Sequence, residues 1–439
     1  MPETVTTPEI GATGLIQYGG RINEEYLREL YGPRWLRVVK EMVNDPVISA
    51  ALLAIEMLLR QVTWDVVPQS EDAAAVACAD FIREAWGDLS TSWPDTLAEI
   101  LTMLPYGWEA LELVYKRRKG QVYRADGSED LEQSSRYTDG MIGWACWAPR
   151  AQDTLDRWEF GEGGAVLGLW QIAPPTYQSV FLPIEKLLHL RTTSRKGNPE
   201  GRSIIRGAYR AWYFKTNIEN IEGIGIERDL AGFPVVKVPS AVIKAGGADY
   251  TAWKTIATNI RRDEQEGLVI PSDRDQSGNP YYEVTLLSTG GRRAFDTDAI
   301  INRYDARILM SMLADVLMIG HEKVGSFALT DSKTDMLGVA LGAILETISL
   351  GIAHQAFRRL LALNGMDTAL CPTLAHGDIE SADLEKLGAY LESLTKSGMS
   401  VFPNPALETY LLEQAGLPVP EETSEEEGAA LDPPEGDDE

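Results

Sequence analysis

The chain has 439 residues, 66 acids against 40 Lys and Arg, and a formal net charge of −26. That length exceeds one ordinary core and allows two or three packed units, while the acid surplus argues against a strong overall grip on phosphate. Three scattered cysteines, Cys78, Cys146 and Cys371, exclude a disulfide framework and a zinc site by their spacing, and they fit a reducing compartment.

Residues 1–20 carry Thr, Gly, Pro and acids where a secretion signal would need basic and then apolar residues, so they read as a flexible arm. Asp45-Pro46 opens a helix with an N-cap and a first-turn proline, and Val47–Arg60 is apolar around most of its circumference. Gln61–Val67 alternates, with Val62, Trp64 and Val66 on one face, and predicts a strand. Ala73–Trp86 and Trp93–Leu104 read as helices. Glu109–Arg117 alternates through Leu111, Leu113 and Tyr115, turns at Lys119-Gly120 and returns as Gln121–Arg124, the pattern of a hairpin. Short strands follow at Ile142–Trp147, Leu155–Phe160, Val166–Ile172 and Lys186–Arg191, so residues 20–200 form one α+β unit.

Ser203 caps a long helical segment over 203–230, with Ile205, Ala208 and Trp212 at helical spacing. Arg206 and Arg210 share a face, four residues apart. Lys215 falls in phase with Ala208 and Trp212, so its stem is expected along apolar surface with the ammonium snorkelling outward. Two readings of these bases stand side by side: a solvated face with ion pairs between subunits, or contact with DNA. Gly223 and Gly225 read as a break at the helix end rather than a phosphate cradle.

Strands at Phe233–Val238 and Tyr281–Leu287 flank a helical Tyr250–Asp263. Thr297 caps a helix over Asp298–Ile319, and Ser332 with Asp335 resembles a capping box for a helix running to about Leu363. Between them lies Gly320–Asp331, a polar loop with Gly320, His321, Lys323, Gly325, Ser326 and Phe327. It is longer than the roughly 2–8 residues usual between packed helices. Helices around Ala382–Lys396 and Ala406–Ala415 precede residues 421–439, which hold ten acids and no base and cannot bury enough apolar surface to order themselves. Apolar stretches such as Leu337–Leu350 contain Glu346 and fall short of a membrane span of about 20 residues, so the chain reads as soluble.

Catalytic signals are absent from the text. The four histidines, His189, His321, His354 and His376, lie outside metal-ligand spacing, and no H-E-x-x-H, G-x-S-x-G, Walker or G-x-G-x-x-G pattern occurs. His189 among Leu187, Leu188 and Leu190 reads as a satisfied core or edge histidine, and His354 likewise. Asp296 and Asp298 around Thr297 resemble a cap more than an acid/base pair. No catalytic residue, cofactor or metal is expected.

Three phrases carry a resemblance. Asp45-Pro46-Val47-Ile48-Ser49-Ala50-Ala51-Leu52, followed by the Trp-bearing Gln61–Val67, is similar to the opening of portal proteins of long-tailed phages. Pro105-Tyr106-Gly107-Trp108-Glu109-Ala110-Leu111-Glu112 resembles a second stretch of that family. Gly197-Asn198-Pro199-Glu200-Gly201-Arg202-Ser203, then Trp212 and Lys215, resembles its Mu-like branch. The likeness spans roughly residues 40–365.

The resemblance implies a portal-type α+β fold. Its parts would be an arm (1–20), a wing (21–202), stem helices (203–231 and 293–319) around a clip (232–292), a tunnel loop (320–331), a spine helix (332–365), C-terminal wing or crown helices (366–420) and an acidic tail (421–439). It implies a homo-oligomeric ring, typically a dodecamer, at the capsid vertex of a virion assembled in host cytoplasm. Its partners would be the major capsid protein, the terminase large subunit, a neck or head–tail adaptor protein and double-stranded DNA, with no membrane. Another viral neck or connector component is the nearest alternative, though such proteins are usually shorter and strand-dominated. An enzyme would need a nucleophile with a positioned base, and an intracellular scaffold need not close into a ring.

Overall fold

The computed structural model describes residues 11–231, 233–259, 270–287, 296–314 and 327–377. Residues up to His376 form one unit and Gly377–Glu439 a second. The expected helices at 382–396 and 406–415, and the acidic tail, lie outside the described residues.

The short strands β1 (Gln17–Tyr18) and β2 (Arg21–Ile22) lead to helices α1 (Gly32–Val43) and α2 (Pro46–Arg60). Asp45 starts α2 as its cap, accepting from the Val47 and Ile48 amides. Strand β3 (Trp64–Val67), helices α3 (Ala73–Gly87), α4 (Trp93–Leu101) and α5 (Met103–Tyr106), and strand β4 (Trp108–Arg117) follow. The remaining strands of this region are β5 (Ile142–Pro149), β6 (Leu155–Phe160), β7 (Val166–Ile172), β8 (Ser179–Pro183) and β9 (Leu187–Arg191).

Two three-stranded antiparallel sheets result, ordered β5-β4-β9 and β6-β7-β8. The expected hairpin return at Gln121–Arg124 is therefore corrected, because β4 pairs with β5 and β9 instead. The intervening loop is gripped by two buried cations at the end of β4. Lys116 Nζ donates to the Asp88 and Ser134 carbonyls at 2.7 and 2.6 Å. Arg118 meets Glu84 and Asp139 at 2.6 and 2.9 Å and lies 3.8 Å from the Tyr137 ring centroid. These contacts hold residues 119–141 away from the ladder, so β5, with its apolar Trp144 and Trp147, takes the partner position.

Edge-to-face indoles fill the core beneath β5. Trp86 and Trp93 lie 4.8 Å apart by ring centroid, Trp144 and Trp147 5.4 Å, and Trp144 approaches Phe357 at 6.0 Å. A second cluster gathers Val39, Met42, Ile48, Ile205, Trp212 and Ile308, tying α1 and α2 to the later helices.

Those later elements are α6 (Tyr209–Ala231), β10 (Phe233–Lys237), α7 (Ser240–Ala245), α8 (Ala248–Asn259), β11 (Glu283–Leu287) and α9 (Thr297–Ser311). Helix α6 passes through Gly223 and Gly225 unbroken, which corrects the expected break. Asp296 rather than Thr297 caps α9, accepting from the Ala299 amide, while the Thr297 hydroxyl donates to Glu222. The described helix stops at Ser311, short of the expected Ile319, and Leu313 takes a left-handed backbone just beyond it.

Helix α10 (Phe327–Ile352) runs through a π turn (Ala353–Phe357) into α11 (Arg358–Leu363), and strand β12 (Thr373–His376) then pairs with β3. Since α10 already begins at Phe327, Ser332 lies inside the helix and is not its cap. The rod Met336–Leu363 is also long and apolar enough, by length and composition, to cross a membrane. A lone Glu346 does not interrupt it, which corrects the expected shortfall. One side packs into the protein through Leu341, Leu345, Ile348 and Ile352, the pattern of a core helix, while Met336, Val339 and Leu350 stay exposed.

This rod closes both edges of the β5-β4-β9 sheet with amide side chains. Gln355 accepts from the His189 amide and donates to its carbonyl, both at 2.9 Å. Asn364 does the same at Ile142, at 2.8 and 2.9 Å. Backbone groups that an edge strand would leave open are thereby satisfied.

Candidate functional site

Two of the phrases singled out in the sequence meet in space at the root of α6. Gly107 ends α5 with φ +97° and Gly201 has φ +56°. Their backbones are so close that a Cβ on Gly201 would overlap the Gly107 carbonyl oxygen, and one on Gly107 would fall 2.6 Å from the Glu200 carbonyl. Both backbones demand glycine twice over, by left-handed φ and by lack of space. Thr192 adds a tie, its amide donating to the Gly107 carbonyl at 3.0 Å and its hydroxyl to the Arg202 carbonyl at 2.5 Å.

Beneath this clasp, Glu200 accepts from the Trp158 indole at 3.3 Å, and burial pushes its carboxyl up to about 7. His189 Nε2 lies 2.8 Å from the Pro199 carbonyl. Its ring packs 5.1 Å from Trp158, and burial with the nearby Arg191 charge lowers its pKa to about 4. A neutral imidazole donating from Nε2 satisfies this arrangement, so His189 is a core histidine. His354 lies exposed within the π turn.

Glu109, on the same β4 strand, is buried. The Thr102 hydroxyl donates to it at 2.6 Å and the Gln152 amide also reaches it, while its Oε1 has no partner among the described residues. Burial pushes its carboxyl up to about 8. A folded pKa above the unfolded value near 4.5 gives stability that is complete below about pH 4.5 and lost as pH rises through 8. Unfolding free energy of the full chain is therefore expected to fall between pH 5 and 8, and Glu109→Gln to flatten that slope in urea titrations at the two pH values. An identical slope in the variant would refute the assignment.

Ser203 caps the turn Ile204–Gly207 that enters α6, accepting from the Ile205 amide at 3.2 Å. Arg206 makes a two-pronged contact with Glu25, both arms at 2.6 Å. Its partner thus comes from its own chain. Arg210 is exposed and lies over the Phe214 ring at 5.5 Å. Trp212 is buried in the core shared by α1, α2, α6 and α9.

Lys215 departs most from expectation, because its ammonium is buried rather than snorkelling. Nζ lies 3.0 Å from Asp45 Oδ2 and 2.7 Å from Asp305 Oδ1, with Glu219 at 3.9 Å. The Asp305 Oδ1 contact is close as an ion pair without aligned hydrogen-bond geometry. Burial works against the charge, yet the carboxylates outweigh it and hold the ammonium above its ordinary range. One lysine thereby pins the start of α2, the middle of α6 and the middle of α9.

Between α6 and α9 sits a small mixed insertion. Strands β10 and β11 pair antiparallel from Phe233↔Leu287 to Lys237↔Glu283, and Lys237 meets Glu283 across the ladder at 2.8 Å. Trp253 of α8 stacks on Tyr282, with centroids 5.2 Å apart. Of the proposed loop residues, Gly320, His321, Lys323, Gly325 and Ser326 lie outside the described residues, and Phe327 is the first residue of α10. Among the described residues no group of three or more His, Cys, Asp or Glu side chains is placed to hold a metal ion.

Residues 36–417 match the family model described as the portal protein of Mu bacteriophage. The chain belongs to that family. Portal proteins of this family are structural components of the virion, and the α+β architecture, with small sheets and long helices, is that of the described unit. Two solved structures are similar to the chain. One is the neck of an empty gene transfer agent particle computed with C6 symmetry, at 11% identity and TM-score 0.46, covering 88% of this chain and 93% of that one. The other is the virion of a native gene transfer agent particle, at 12% identity and TM-score 0.45, covering 88% and 94%.

Sequence reasoning singled out Ser203, Arg206, Arg210, Trp212 and Lys215 but missed the glycine clasp as a contact and the carboxylates that hold Lys215. The signal for the clasp was present, since Gly107 and Gly201 each sit within a motif phrase. Nothing in the local text announced that the two phrases touch.

Proposed function

We propose that this chain is the repeating subunit of a ring-shaped channel at the capsid vertex. Double-stranded DNA would be packaged, held and ejected through it, and the terminase motor and the neck or head–tail adaptor would dock on it. The match to the portal family over residues 36–417 carries this reading. The helical pair α6 and α9 around a small β10–β11 insertion supports it, as expected of a stem and a clip. On this reading residues 21–202 are the wing, 203–231 and 293–319 the stem, 232–292 the clip, and 327–365, from the observed start of α10, the spine. Gly320–Ser326 is the tunnel loop, since Phe327–Asp331 of the expected loop already belong to α10, and the ring is a dodecamer bound to the major capsid protein.

A conduit must release DNA as readily as it admits it. Both stem cations nearest the core, Arg206 and Lys215, are already matched to Glu25, Asp45 and Asp305. A net charge of −26 per copy repels phosphate and centres the duplex rather than gripping it. Force for packaging would come from a separate ATPase.

Negative-stain electron microscopy and mass photometry of the purified chain test the ring. Closed rings with a central hole are expected; a persistent monomer, with or without co-expressed capsid components, overturns the reading. Deleting part of Gly320–Ser326, ahead of α10, is expected to leave rings intact while impairing packaging or DNA retention. Normal packaging by that deletion sinks the tunnel-loop assignment.

A further inference from the structure

One flank of the α6–α9 pair carries three exposed guanidiniums that meet no carboxylate among the described residues. Arg210 lies over Phe214 at 5.5 Å, and Arg303 and Arg307 lie over Tyr304 at 5.4 and 5.8 Å. The two rings stack on each other, centroids 6.3 Å apart and planes 22° apart, so a single plate of two rings flanked by cations crosses from one helix to the other. Exposed apolar side chains lie on the same helices, with Tyr213 49%, Met310 63% and Ile221 69% exposed. Arg206, one turn before Arg210 on the same stretch of chain, is by contrast matched to Glu25.

We propose that this plate is the seam against a second copy of the chain, an inference that rests on the ring reading above and names the surface that closes it. Buried centres of protein interfaces are enriched in aromatic residues, Met and Arg and depleted in Lys, Glu and Asp. The plate has that composition and contains no lysine. A phosphate backbone would gain from the guanidiniums but nothing from the nearby Ile and Met side chains, which favours a protein surface over a nucleic acid.

The charge complement is present on the chain itself. Each copy carries a formal −26, and exposed Asp298 lies about two and a half turns from Arg307, on the opposite side of α9. Opposite charges on opposite sides of one helix suit a head-to-tail contact, the kind that closes into a ring. A guanidinium stacked on a ring is preorganised for a bidentate carboxylate, so little side-chain freedom is lost on association.

The test uses the full-length chain and its double variant R303E/R307E, compared by mass photometry at equal concentrations. Both side chains are exposed, so circular dichroism and Tm are expected to match wild type, while the assembled fraction falls at least tenfold. Should the reversal perturb folding, R303Q/R307Q carries the same test without introduced carboxylates, again with loss of assembly expected. Rings of wild-type size and concentration dependence in a folded variant overturn the seam. If such rings then fail to retain DNA, the plate contacts phosphate instead. A wild-type chain that never assembles overturns the ring reading itself, an outcome separable from intact rings in the variant.

Discussion

Lys215→Met is expected to lower the stability of the chain by about 3–5 kcal/mol, the range for removing one partner of a buried ion pair. The loss arises because Asp45 and Asp305 would remain in place without their cation. Asp45 is nearly inaccessible and Asp305 largely so, with side-chain exposures of 5% and 16%. Neutralising the acceptors as well, in a K215M/D45N/D305N variant, is expected to recover part of the loss, since an uncharged group costs less to bury alone. Asn at position 45 also keeps a side-chain oxygen to cap α2. Chemical denaturation of the three proteins decides it. Equal destabilisation by the single and triple changes would mean that the lysine stem, not the charge match, matters.

Gly201→Ala is the second large expected effect. The added methyl enters the space of the Gly107 carbonyl, and the left-handed backbone is strained for any side chain. Strain of this kind costs about 1–3 kcal/mol, and displacing a packed backbone adds a similar amount. The Tm is expected to drop by roughly 5–10 °C. Gly223→Ala, in open space within α6, provides the contrast and should be neutral or slightly stabilising. A Gly201→Ala chain that melts with wild type would refute the clasp.

These two sites show where the sequence could be read and where it could not. Local signals were legible: the Asp45-Pro46 start of α2, the Ser203 cap and the strand alternation of β4 through β7 all appear where neighbouring residues predict them. Partners distant along the chain were not. Lys215 finds one carboxylate 170 residues before it in Asp45, and no periodicity within α6 reports that contact. The misassigned hairpin at Gln121–Arg124 failed for the same reason, since Lys116 and Arg118 commit their loop to groups on α3 and beyond. Gly223 and Gly225 misled in the other direction. Glycine lowers helix propensity by only about 1 kcal/mol, and the flanking helix and its packing on α9 override that.

The paired amides of Gln355 and Asn364 have a consequence for how the molecule comes apart. A helix lying on a sheet can ordinarily peel away while the sheet survives, because the two are held only by side-chain packing. Here the helical rod supplies hydrogen bonds to His189 and Ile142, on the two outer strands. Detaching it would strip both borders at once and leave four backbone groups unmatched. The rod and the three strands are therefore expected to open together as one cooperative block, with matching hydrogen-exchange protection, because partial undocking would bare both strand borders.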